Sequence, residues 1–128
     1  MKPRGFPEDP QTLGEHLFRA RCLRKTSQKE AASLLGVSSE SLLNWEKGKT
    51  EPPVRSWPAI LRFLGYDPSP EPKALSERML AKRRELGWTI REAAERLGVD
   101  EGTWGIWEHI GRIRWNRYRA ILEAFLDG

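Results

Sequence analysis

The chain has 128 residues, 38% of them hydrophobic and 31% charged, with a formal net charge of +4 and a pI near 9.5. That length holds one ordinary domain or two very small ones, and so polar a composition suits small helical units better than one large core. The single cysteine, Cys22, excludes an intramolecular disulfide, and no stretch approaches the roughly 18 apolar residues of a membrane span.

The opening Met1-Lys2-Pro3-Arg4-Gly5-Phe6-Pro7 carries charges and prolines where a signal peptide needs an apolar run, so the expected compartment is the reducing cytoplasm. From there the pattern is helical, because no window sustains strand alternation and turn residues recur at helical intervals. A basic balance permits a nucleic-acid partner, and its distribution is uneven. Residues 1–66 hold 11 Lys and Arg against 7 Asp and Glu, whereas residues 67–128 hold 11 of each.

Four helices are expected in the first half, at about 13–25, 28–35, 39–47 and 57–64. Thr12-Leu13-Gly14-Glu15 and Ser27-Gln28-Lys29-Glu30 fit the capping box, in which a hydroxyl accepts a first-turn N–H and the Glu reaches back to the cap's own N–H. Ser38 is an N-cap candidate after the Gly36-Val37 turn, and Pro58 is tolerable in the first turn of its helix. The inner faces are Leu13, Leu17 and Ala20; Ala31, Leu34 and Leu35; Leu42 and Trp45; and Ile60, Leu61 and Leu64.

Residues 67–73 follow as a proline-rich linker, with Pro68, Pro70 and Pro72 favouring an extended spacer. Beyond it the pattern repeats at an offset of 62 residues without gaps. Trp45-Glu46 falls on Trp107-Glu108, Leu35-Gly36-Val37 on Leu97-Gly98-Val99, and Phe63-Leu64 on Phe125-Leu126. The corresponding helices are expected at about 74–86, 90–97, 101–109 and 115–126, with Ser76, Thr89 and Asp100 as start signals. The domains are therefore read as 1–66 and 74–128.

Two short helices crossing over a tight turn need a small residue at the crossing, Gly at the bend, an apolar plug after it and two apolar anchors on the outgoing helix. Ala32, Gly36, Val37, Leu42 and Trp45 meet each demand, and so do Ala94, Gly98, Val99, Trp104 and Trp107.

Ser27-Gln28-Lys29-Glu30-Ala31-Ala32, then Leu35-Gly36-Val37-Ser38, Asn44-Trp45-Glu46-Lys47-Gly48-Lys49 and Pro52, resemble the Cro/cI-type (XRE, lambda-repressor-like) helix-turn-helix family. The resemblance covers about 12–66 well and 74–126 less well. It implies an all-α fold of two tandem bundles, four or five helices each, and a double-stranded DNA partner bound through the major groove. It implies a transcriptional regulator, commonly a repressor, associated with the nucleoid. Family members often pair an Arg on the first helix with a Glu closing the reading helix. Arg21 with Glu46 and Arg83 with Glu108 match those positions.

On this reading the helix after Ser38 lies in the major groove with its N-terminal end toward base edges. The base-reading candidates are Ser39, Glu40, Leu43, Asn44 and Lys47: Glu40 for cytosine N4, Asn44 for adenine, Leu43 for a thymine methyl. The phosphate candidates are Gln28, Lys29, Ser38, Lys49 and Thr50, with Arg55, Lys2 and Arg4 weaker.

The second half keeps the scaffold and changes the reading surface. Ile90 stands in place of Gln28, Ile106 in place of Asn44, and Gly102 and Gly105 thin the helix that Asp100-Glu101 begins. Ile90 and Ile106 are expected outward, which leaves room for a protein-interaction module on the same scaffold. Arg91, Arg112, Arg114 and Arg117 are its candidate DNA contacts. Tandem units or a homodimer would each supply a second reading head. No metal, cofactor, small-molecule substrate or catalytic constellation is expected. His16 and His109 stand far apart without ligand-spaced partners, and no phosphate loop or nucleophile elbow is present.

Overall fold

The structure is a computed structural model, and it describes residues 5–110 and 116–127, with the side chains of 116 and 117 excepted. The described residues form eight α-helices and no strand. They divide into two compact units, Met1–Ser69 and Pro70–Gly128. No helix among the described residues is long and apolar enough to cross a membrane.

The first unit holds α1 (Leu13–Leu23), α2 (Gln28–Leu35), α3 (Ser39–Glu46) and α4 (Trp57–Leu64), with a 3-10 turn at Val54–Ser56 leading into α4. Each start has a sequence cause. Thr12, Ser27 and Ser38 accept the N–H of Glu15, Glu30 and Ser41 at 3.1 Å apiece. The expected capping boxes at Thr12 and Ser27 are only half made. Glu15 and Glu30 accept the cap hydroxyl protons, at 3.2 and 3.0 Å, so each cap is tied to its Glu through the side chain.

α1 stops two residues before the expected end because Lys25 adopts φ 53, the left-handed region, and the Thr26 N–H turns back to the Arg21 carbonyl at 2.9 Å. α2 ends at Gly36, whose φ of 73 carries no Cβ penalty. The Val37 N–H then reaches the Ala32 carbonyl at 2.9 Å and the Gly36 N–H the Ser33 carbonyl at 3.1 Å, a Schellman closure.

α1 and α2 each pack against α3 and α4. The core joins Leu17, Ala31, Ala32, Leu35, Leu42, Trp45, Ile60, Phe63 and Leu64. Leu34, expected inward, is 70% exposed. At about 100° per residue it falls about 60° beyond the edge of the stripe that Ala31, Ala32 and Leu35 bury, and about 100° from the centre of that stripe.

Gly14 is the other departure. It is buried in α1, and a Cβ there would run into the Trp45 carbonyl oxygen and stand 2.9 Å from that of Glu46. The missing side chain is what lets α1 approach the end of α3. Helix propensity alone makes Gly14→Ala a gain of up to about 1 kcal/mol. The close approach makes it a loss of about 1–3 kcal/mol. Urea unfolding reads the sign, and a raised midpoint contradicts the contact.

The second unit holds α5 (Leu75–Leu86), α6 (Ile90–Leu97), α7 (Glu101–Ile110) and α8 (Asn116–Asp127). α5 and α6 each pack against α7 and α8, the same set of partners as in the first unit. Ser76 is not the cap of α5. Ala74 holds that place and its N–H goes to Glu77 Oε1 at 2.9 Å, so Ser76 lies inside the helix. Thr89 makes the complete box: its hydroxyl accepts the Glu92 N–H, and Glu92 Oε1 accepts the Thr89 N–H, both at 3.1 Å. Gly98, at φ 80, closes α6 with the Val99 N–H on the Ala94 carbonyl at 3.0 Å.

The core of this unit is Met79, Ala93, Ala94, Trp104, Trp107 and Leu122. Ile90, expected outward, instead packs against that core and is half-buried. It abuts an apolar cluster that also takes in Trp88, Phe125 and Leu126, so a branched aliphatic chain gains more there than in water.

Candidate nucleic-acid interface

α2 and α3 form the helix-turn-helix, and a buried ion pair ties them to α1. Arg21 Nε donates to Glu46 Oε2 at 2.8 Å and Nη2 to Oε1 at 3.1 Å, while Nη1 donates to the Thr26 carbonyl at 3.3 Å. The Glu46 side chain is 4% exposed and that of Arg21 15%. Hydrogen bonding to Glu46 holds the Arg21 guanidinium above its ordinary pKa, outweighing the lowering that burial brings. The arrangement links the end of α1, the loop after it and the end of α3. It therefore sets the angle at which α3 leaves the turn.

With Leu42 and Trp45 buried, the rest of α3 is turned outward to different degrees. Ser39, Glu40 and Lys47 are exposed, and Asn44 is half-buried. Leu43 is also half-buried and lines a cleft with Gly5, Pro7, Phe18, Arg21 and Lys47, so the chain before α1 stands beside it.

Around α3, Lys29, Lys49 and Thr50 are exposed. Ser38 is exposed too, but its hydroxyl also contacts Ser41 Oγ at 3.0 Å, so it serves the cap first. Gln28 differs most from expectation. It is half-buried, and its Nε2 donates to Glu46 Oε1 at 3.2 Å. The amide is thus partly a strut of the ion pair and not a free surface donor. Arg55 is exposed, while Lys2 and Arg4 lie outside the described residues.

The second unit repeats the ion pair with one exchange of parts. Arg83 Nε and Nη2 donate to Glu108 Oε2 and Oε1 at 2.8 and 2.6 Å, and Nη1 donates to the Trp88 carbonyl at 3.1 Å. The third donor is Trp104, whose Nε1 gives to Glu108 Oε2 at 2.7 Å. Trp104 stands where the first unit has Leu42, and Ile90 where it has Gln28. An apolar anchor and a polar donor have traded places. Laying the two halves of the sequence over each other exposes this exchange, although only the structure shows that both donors serve one carboxylate.

The outer side of α7 carries exposed Glu101 and Gly102, with Ile106 57% and Ile110 64% exposed. Arg91 is exposed and spends its charge on Glu95 at 3.4 Å. Arg112 and Arg114 lie outside the described residues, as does the side chain of Arg117. Among the described residues no group of three or more His, Cys, Asp and Glu could hold a metal ion.

A helix-turn-helix family model matches residues 17–70, spanning most of α1 and all of α2, α3 and α4. No curated protein and no solved structure gives a significant match.

Proposed function

We propose that the chain is a double-stranded DNA-binding regulator of the XRE type, reading sequence with α3 of its first unit in the major groove. The observation that carries this reading is the outward row Ser39, Glu40, Asn44 and Lys47 on a helix held by a helix-turn-helix bend, flanked by exposed Lys29 and Lys49. Polar side chains on such a helix meet base edges, and the flanking cations and Thr50 meet phosphates. Occupancy of a site that overlaps a promoter would make the protein a repressor. Regulation of this kind belongs in the cytoplasm, on the nucleoid, and involves no catalysis.

We read the second unit, about residues 74–128, as a tandem copy whose reading surface no longer suits DNA. Two exposed isoleucines on α7, Ile106 and Ile110, and the acidic Asp100-Glu101 start favour a protein-contact role there. This is the one observation that supports the alternative, an interaction module, and it bears on the second unit only.

The test is the salt dependence of binding to random-sequence duplex DNA. Affinity falls steeply and linearly on a log–log plot, and Lys29→Ala or Lys49→Ala each reduces the slope by about 1. A slope near zero for the wild-type chain overturns the DNA-binding reading.

A further inference from the structure

Gln28 Nε2 carries two N–H bonds, and one of them is given to Glu46. A carboxylate accepts and does not donate, so the amide must turn its nitrogen, not its oxygen, toward Glu46. The second N–H is not taken up by the ion pair, and Gln28 is only half-buried. Gln28 is the first residue of α2, directly after the Ser27 cap, where the helix dipole favours anions.

The second unit shows that the ion pair itself does not demand a glutamine. There the third hydrogen bond to the carboxylate comes from Trp104 within α7, and the place of Gln28 is taken by Ile90, packed on the core. The Arg–Glu strut is complete in both units, but only the first is braced by an amide, on the half-buried Gln28.

We propose that Glu46 is a positioning residue for a phosphate contact: held by Arg21, it turns the Gln28 amide so that the free N–H meets a backbone phosphate of duplex DNA, while the second unit keeps the same pair as a strut alone. The proposal rests on the DNA-binding reading of the first unit. It assigns Glu46, an acidic and buried residue, a part in anion recognition that its charge would not suggest.

Binding of the full-length chain to a labelled random-sequence duplex gives the test, as a double-variant cycle. Gln28→Leu and Glu46→Gln each weaken binding by about 10-fold. A glutamine at 46 can pair with Gln28 in either amide orientation, so the orientation is lost. The double variant binds no more weakly than either single one. Losses that multiply overturn the proposal, because Glu46 would then act independently of Gln28. Undiminished binding by Gln28→Leu, while Lys49→Ala still weakens it, overturns the proposal and leaves DNA binding standing. A wild-type chain that binds no duplex removes the DNA-binding reading and the proposal together.

Should Glu46→Gln fail to fold, side-chain amide NMR of the wild-type chain decides. One Gln28 amide proton is slow to exchange in the free protein, and its partner shifts when the duplex is added. Absence of protection, or no shift at saturating duplex, overturns the assignment.

Discussion

Arg21→Met lowers the unfolding free energy of the first unit by about 3–5 kcal/mol. The cause is the carboxylate left behind. Glu46 is 4% exposed and would keep only the Gln28 amide as a donor, against the paired prongs of Arg21. A charge so nearly dry cannot recover in water what it loses. Arg21→Met/Glu46→Leu restores most of the loss, because removing both charges removes the orphan. Urea unfolding followed through NMR cross-peaks of α1 and α3 isolates this unit from the second. A loss below about 1 kcal/mol in the single variant, the size expected of a surface pair, contradicts the burial argument.

Trp104→Ala costs the second unit about 3–5 kcal/mol. The ring is fully buried, meets Phe125 edge-on at 6.1 Å between centroids, and donates its indole N–H to Glu108. Truncation therefore opens a cavity and strips a donor from a buried carboxylate in one step. Trp104→Phe separates the two effects, since it keeps an aromatic ring and loses the N–H. It falls between wild type and Trp104→Ala when denaturation is followed at α7. A Trp104→Phe chain as stable as wild type shows that the hydrogen bond contributes nothing net.

Much of this is legible in the sequence, because local chemistry dictates it. Ser27, Ser38 and Thr89 start helices for reasons that act within one turn, and Gly36 and Gly98 end them for the same kind of reason. The alanine pairs at the crossings are equally plain, as volume alone sets them. What escapes is whatever depends on a third element. Gly14 reads as part of a capping box, and only the approach of α3 shows why a side chain is forbidden there. Leu34 looks like core because its period fits, yet it lies beyond the buried stripe of α2 and is 70% exposed. Gln28 looks like a free donor until Glu46 is found beside it, and Ile90 looks like a surface residue until it is found packed, with Trp88 and Phe125, against the core of its unit. Lys25 in the left-handed region is a conformation the residue type argues against, and so the end of α1 moves.

The central claim is that α3 of the first unit reads bases. Selection of bound sequences from a randomised duplex library, with the wild-type chain and Asn44→Ala side by side, tests it most directly. Wild type enriches a defined motif, and Asn44→Ala relaxes the preference at one base pair of it, by about 1–3 kcal/mol of discrimination, while the rest of the motif persists. A wild-type chain that enriches no motif contradicts the claim, and so does one whose motif survives unchanged in Asn44→Ala, Ser39→Ala and Glu40→Ala alike.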